Sequence, residues 1–172
     1  MDHPVGHRYF ASGLRSPRLA LAACWGLTAM AGGILAGAVA LELIADLDPC
    51  RLCLWQRVPY GLYAPVMLAA GALVAYRRLL LLVGAGLMVI SFGLAGYHMG
   101  VEFGWWASNC GGTSLAGLTA SQAADALLAT TPGGCDIVTW RLWGLSLTQY
   151  NGIMSLALLG GTIGVLRWQD VR

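Results

Sequence analysis

Val58–Tyr97 reads VPYGLYAPVMLAAGALVAYRRLLLLVGAGLMVISFGLAGY. Two apolar blocks, 58–76 and 79–97, are separated only by Arg77-Arg78. Each is long enough to cross a hydrocarbon core about 30 Å thick, which takes about 20 helical residues. A link that short makes the two helices antiparallel neighbours, a tight hairpin with the arginine pair at its tip. Pro59 and Pro65 remove backbone donors and are expected to bend the first of these helices near its start.

The same pattern continues on both sides of this hairpin. Upstream, the block from Leu19 to about Ala45 carries a single charge, Glu42. It is too long for the apolar region of a signal peptide and has no clear cleavage segment, so it is expected to be retained. Downstream, a mixed stretch runs to Asn151, and Gly152–Leu166 forms a shorter apolar block that borrows flanking residues to cross. With 58% hydrophobic and only 10% charged residues among 172, the chain is too apolar for a soluble domain of its size. The fold class expected is an all-α membrane protein, one domain over 1–172: a bundle of four transmembrane helices at about 19–45, 54–76, 79–97 and 150–168. The net charge is only +2, which sets nucleic acid aside as a partner.

All ten basic residues are arginine, and their distribution gives an orientation. Arg8, Arg15 and Arg18 precede the first span, Arg77 and Arg78 join the second to the third, and Arg167 and Arg172 follow the fourth. Basic residues in short flanking segments stay on the cytoplasmic side, so both termini are expected there. The outer loops, about 46–53 and 98–149, then hold four of the five cysteines, on the side of the membrane where disulfides persist. Gly33 and Gly37, Gly96 and Gly100, and Gly160 and Gly164 are each four apart, a spacing read as close helix packing. Cys24, inside the first span, is read as a small apolar packing residue.

The first outward pair is Cys50-Arg51-Leu52-Cys53, preceded by Asp48-Pro49 and followed by Arg57. Asp48 suits an N-cap and Pro49 the first helical position, placing both thiols near the positive end of the second helix. Arg57 lies one turn beyond Cys53 on the same face, so a reactive thiolate is expected at Cys53. A CxxC can equally be half a zinc site or a structural clip. The other outward cysteines, Cys110 and Cys135, do not form a second CxxC, and no metal is expected. They sit in Cys110-Gly111-Gly112 and Gly133-Gly134-Cys135, where a flexible backbone lets thiols reorganise. Between them Thr119 and Gln122 make a capping-box pattern ahead of a short helix expected to lie on the bilayer. Trp105, Trp106, Trp140 and Trp143 read as an aromatic belt. His98 and Glu102, four apart, are placed to face each other or to move protons.

These residues together resemble the disulfide bond formation protein B (DsbB) family, quinone reductases of bacterial inner membranes. The resemblance covers most of the chain. It rests on Pro-Cys-x-x-Cys-x-x-x-Arg at 49–57, on Tyr97-His98-Met99-Gly100-Val101-Glu102 with Trp105-Trp106, and on Cys135 followed by Trp140, Gly144, Ser146 and Tyr150-Asn151. It implies redox-active disulfides Cys50–Cys53 and Cys110–Cys135. It also implies a periplasmic DsbA-like thioredoxin-fold partner whose thiol attacks Cys110, and a released Cys135 that attacks Cys50. Cys53 would then be left as the thiolate that passes electrons to ubiquinone or menaquinone, with Arg57 polarising a quinone oxygen and His98 near the ring. The relay from DsbA through DsbB to quinone is the established example of such chemistry. The implied place is the inner membrane, multi-pass, with the catalytic loops facing the periplasm. The Arg-Leu inside the CxxC and Gln56 before Arg57 depart from the family pattern.

Two rivals predict different behaviour. A non-enzymatic four-span protein braced by outer-loop disulfides would keep them inert and persistent. An enzyme of the vitamin K epoxide reductase type also joins thiols to a quinone, but there the separated cysteines resemble the reverse order, preceding the CxxC. Thiol trapping under turnover distinguishes the brace from either enzyme.

Overall fold

The chain is described by a computed structural model covering residues 17–47, 49–106, 119, 121–122, 134–136, 138 and 140–170. Four long helices dominate it: α1 (Pro17–Ala45), α2 (Arg51–Ala72), α3 (Arg77–Glu102) and α4 (Leu147–Asp170). A single 3-10 turn, Val74–Tyr76, joins α2 to α3, so these two pack side by side and antiparallel as the Arg77-Arg78 link requires. α1 packs on α2, α2 on α3 and α3 on α4, and a thinner α1–α4 seam closes the bundle. Among the described residues, two helical segments, Arg18–Ala45 and Val74–Glu102, are long and apolar enough by themselves to cross a membrane.

Many large apolar side chains face outward and several polar ones are buried, as expected of a bundle solvated by lipid. Leu43, Ile44, Leu82, Val89 and Ile90 are exposed, whereas Ser91, Ser155 and Thr162 are fully buried. The buried core joins Cys24 and Ala31 of α1 to Tyr60, Tyr63 and Met67 of α2, Leu81 and Met88 of α3, and Leu158 and Val165 of α4. Within it the Tyr60 hydroxyl lies 2.8 Å from Ser155 Oγ, which lies 2.8 Å from Ser91 Oγ, and the Tyr63 hydroxyl lies 2.7 Å from Thr162 Oγ1. Such interhelical bonds hold helices together where hydrophobic burial gives no preference between protein and lipid.

The glycine spacing does not act as expected. Gly33, Gly37, Gly96, Gly160 and Gly164 face open space, and Gly100 makes room for the Trp106 indole rather than for another helix. Close helix approach occurs instead at Gly84, under Met67 and Tyr63, at Gly161, under Leu27, and at Gly71, under Leu21 and Trp25. Arg77 is also more than a topological marker. It is buried, and its guanidinium donates to the carbonyls of Ala70 (2.9 Å) and Gly71 (3.2 Å), closing the C-terminus of α2.

Ahead of α4, β1 (Arg141–Leu142) and β2 (Leu145–Ser146) form a two-residue hairpin with Leu142 opposite Leu145. Its loop residues Trp143 and Gly144 have φ of 48° and 82°, the left-handed values of a type I′ turn, which favours Asn-Gly. Trp143 is 89% exposed, so no packing within the described residues offsets its strained backbone. Trp143→Asn is expected to stabilise the detergent-solubilised protein by about 1 kcal/mol, read as a higher melting temperature. A gain in detergent that reverses in lipid vesicles would show the indole to be an interfacial anchor.

Candidate active site

The first turn of α2 sets the site. The helix starts later than its sequence pattern predicts. Asp48 lies outside the described residues, and the N-cap is Cys50, with φ −67° and ψ 166°. Its Sγ accepts the backbone N–H of Cys53 at 3.2 Å, taking the place of the usual capping oxygen. The two sulfurs stand 2.8 Å apart as thiols, so a shift of under about 1 Å brings them to the roughly 2.05 Å of a disulfide.

The hydrogen bonds favour a thiolate on Cys50, the other sulfur from the one the sequence favours: the Cys53 backbone N–H and the His98 ring both point at Cys50 Sγ. The Cys53 thiol hydrogen bond to Cys50, the His98 ring and the Cys53 backbone N–H together outweigh burial, and the Cys50 thiol is lowered to about 4. Cys53 moves up, because it is the donor to that thiolate, because it is partly buried, and because Cys50 is negative. Arg57 acts on Cys53 in the opposite sense but less strongly. Two of the causes that raise Cys53 belong to a negatively charged Cys50. Once the Cys50 sulfur is bonded to another sulfur they vanish, leaving burial, which still raises Cys53, opposed by Arg57, which favours its charge.

His98, near the end of α3, is buried and joins four parts of the chain. Its Nε2 lies 3.2 Å from the backbone carbonyl oxygen of Cys135 and 3.7 Å from Cys50 Sγ. A carbonyl only accepts, so Nε2 carries the proton. Nδ1 then accepts from Gln56 Nε2 (3.0 Å) and from the Thr148 hydroxyl (3.1 Å). Gln56 is oriented in turn by Asn151 Nδ2, which donates to Gln56 Oε1 at 3.0 Å. Glu102 accepts from Ser146 Oγ at 2.7 Å. Ser146 also exchanges bonds with Gln149, whose Oε1 accepts the Ser146 N–H at 2.8 Å, a capping box that starts α4.

Cys135 is disulfide-bonded and fully buried, packed with Cys50 and Val101, and Leu52 and Cys53 flank this cluster. Cys110, its expected partner, lies outside the described residues, as does most of the expected surface helix after Thr119. The expected capping box is formed: the Thr119 N–H donates to Gln122 Oε1 at 3.0 Å.

Residues of α1, α2 and α4 enclose an apolar cleft of roughly 260 Å³. Leu35, Ala38, Tyr60 and Met154 supply apolar wall, and Cys53, Arg57 and Glu42 its reactive and charged edge. Arg57 Nη1 donates to Glu42 Oε2 at 2.7 Å, a partner on α1 that sequence spacing does not reveal. Cys53 lines this cleft and Cys50 does not.

Comparison with known proteins gives the family. The family described as "Disulfide bond formation protein DsbB" matches residues 18–164. A Disulfide bond formation protein B of Dechloromonas aromatica (strain RCB) is 33% identical over 139 residues, covering 74% of this chain and 83% of the relative. That of Xylella fastidiosa (strain 9a5c) is 31% identical over 147 residues, covering 77% and 82%. No solved structure matches the chain. A CxxC at a helix start beside a third, disulfide-bonded cysteine, in a chain matched over most of its length, leads to one assignment: it belongs to the DsbB family, membrane thiol oxidoreductases of disulfide bond formation.

Proposed function

We propose that this protein oxidises the dithiol of a periplasmic DsbA-like thioredoxin-fold protein and delivers the electrons, through Cys110–Cys135 and then Cys50–Cys53, to a membrane quinone. The observation that carries the proposal is the two-sidedness of the CxxC: Cys50 packs with Cys135, and Cys53 faces the apolar cleft. The proposed setting is the bacterial inner membrane, with four spans, cytoplasmic termini and catalytic loops in the periplasm. The arginine distribution supports that orientation. The polar residues that dilute α2 and α4, such as Gln56, Tyr60, Ser155 and Thr162, are buried, so those helices still present apolar faces to lipid.

In the proposed exchange, a partner thiolate attacks Cys110 and forms a mixed disulfide, and the electron pair of the broken bond leaves on Cys135. The Cys135 thiolate attacks Cys50, breaking the Cys50–Cys53 disulfide and leaving charge on Cys53 beside the cleft. The partner's second thiol closes its own disulfide and releases Cys110, whose attack on Cys135 restores the first pair and returns the electrons to Cys50 and Cys53. The cleft suits a quinone head group, with apolar walls and a few polar groups at one edge. Arg57 and Cys53 would hold it there, and ubiquinone and menaquinone both fit this chemistry. A quinone bound there supplies a sink for two electrons and two protons. His98 fixes the Cys135 backbone beside Cys50 and donates to the Cys50 sulfur. A reduced dithiol stabilised by a Cys50 thiolate makes its disulfide the stronger oxidant.

The test mixes purified protein with a reduced DsbA-like partner and a ubiquinone or menaquinone analogue, following quinone absorbance. Partner-dependent quinone loss supports the reading. Intact, unreactive disulfides with both analogues would return the chain to the structural-brace alternative.

A pH prediction follows from Cys50. An ordinary thiol loses its thiolate as pH falls below about 8.5. A lowered thiol keeps it until pH falls through the shifted value. In the reduced protein, alkylation of Cys50 should stay near its maximum through neutral pH and fall only near about 4. In Cys53→Ala, which removes the strongest stabilising hydrogen bond, the fall should begin at higher pH. Equal profiles would remove Cys53 as the cause.

A further inference from the structure

We propose that the reduced protein has a binding site for zinc or a similar thiophilic divalent cation, formed by Cys50 Sγ, Cys53 Sγ and His98 Nε2, that holds the dithiol in its reduced state. The proposal depends on the reduced CxxC alone and not on which molecule accepts the electrons. The three ligand atoms lie within 4.8 Å of one another, although His98 is 48 positions from Cys50 and comes from a different helix.

Zn–S bonds of about 2.3 Å and Zn–N bonds of about 2.0–2.1 Å in a tetrahedron give an S···N edge of about 3.6 Å and an S···S edge of about 3.8 Å. Cys50 Sγ and His98 Nε2 are already 3.7 Å apart. The two sulfurs must open from 2.8 Å by about 1 Å, and Cys53 Sγ, within 4.8 Å of His98 Nε2, must come to about 3.6 Å from it, so the adjustment falls on the half-buried Cys53 side chain. Two thiolates and an imidazole select soft or borderline cations over magnesium and calcium. Three protein ligands leave the fourth position for water or an exchangeable group.

The surroundings of His98 support metal binding as well as its donor role. To ligate through Nε2, the ring must carry its proton on Nδ1. The Thr148 hydroxyl at 3.1 Å can turn to accept it. Gln56 Nε2 has a second acceptor, the Leu94 carbonyl at 3.4 Å, to which it can withdraw. Such a partner on the far nitrogen is the usual support of a metal-bound histidine. Binding forms two metal–sulfur bonds and one metal–nitrogen bond, releases any thiol protons and changes no oxidation state. Formation of the Cys50–Cys53 disulfide removes both thiolates, so the oxidised protein releases the cation. Zinc is therefore an inhibitor specific to the reduced form, competing with re-oxidation.

The test is metal titration of the full-length, detergent-solubilised protein, reduced with a phosphine, using zinc against a chromophoric chelator and cadmium for its sulfur charge-transfer absorbance. Reduced wild type and Cys24→Ser are expected to bind one ion tightly at this site and to show slowed alkylation of Cys50. His98→Gln should weaken binding at least about tenfold. Cys53→Ser should do the same and also roughly halve the charge-transfer intensity, a readout that stands if His98→Gln fails to fold. Wild-type affinity in folded His98→Gln, undiminished charge transfer in Cys53→Ser, or equal binding by oxidised and reduced wild type overturns the proposal.

Discussion

Cys53→Ser is expected to abolish quinone-linked turnover, by on the order of 10⁴-fold or more, while the variant still oxidises about one equivalent of its thiol partner per chain. In the proposed relay, the Cys110–Cys135 disulfide receives the partner's electrons without help from Cys53. A single oxidation therefore survives and the next cannot begin. The variant's folded yield should match wild type, because Cys53 is only half-buried and sits at the margin of the Cys50–Cys135 cluster. Rapid mixing with reduced partner, with quinone and partner disulfide followed together, gives the measurement. Continued quinone loss in Cys53→Ser would remove Cys53 as the donor to the cleft. Loss of even the first oxidation would place Cys53 upstream of Cys135.

The single-equivalent behaviour depends on an asymmetry between two cysteines that the sequence presents as nearly equivalent. The run Cys50-x-x-Cys53-x-x-x-Arg57 makes a redox pair at a helix start legible, because all its parts lie within two helical turns. The preference for charge on Cys50 was not legible. It depends on Cys50 itself being the N-cap and on His98 arriving from α3. The apolar blocks gave the helices, but they placed the start of α4 late, since apolar residues become dense only at Gly152. Ser146 and Gln149, three apart, carried the missed capping signal. The glycine pairs misled because four-residue spacing fixes a common face of a helix without saying whether lipid or another helix lies against it. Gly84 and Gly161, which do sit under neighbouring side chains, stand in no such pair with each other.

Arg57→Met should raise the KM for quinone by about 10- to 100-fold, the loss expected for a hydrogen bond from a charged donor, about 1.5–3 kcal/mol. The first oxidation of the partner should be unaffected. Arg57 is held in the cleft wall by Glu42, Nη1 to Oε2 at 2.7 Å. Both side chains remain partly exposed, 24% and 34%, so this pair alone contributes little to stability. Its consequence is position: a guanidinium anchored on α1 is held beside Cys53 at the cleft edge rather than extended toward lipid headgroups. Glu42→Gln keeps the positive charge and a carbonyl acceptor, and is expected to change KM far less than Arg57→Met. The double variant should cost no more than Arg57→Met alone, because the two residues act as one unit. Steady-state kinetics at several quinone concentrations separates these outcomes. An unchanged KM in Arg57→Met, with turnover intact, would reduce Arg57 to an interfacial anchor. Equal losses in Glu42→Gln and Arg57→Met would instead make the carboxylate a participant in its own right.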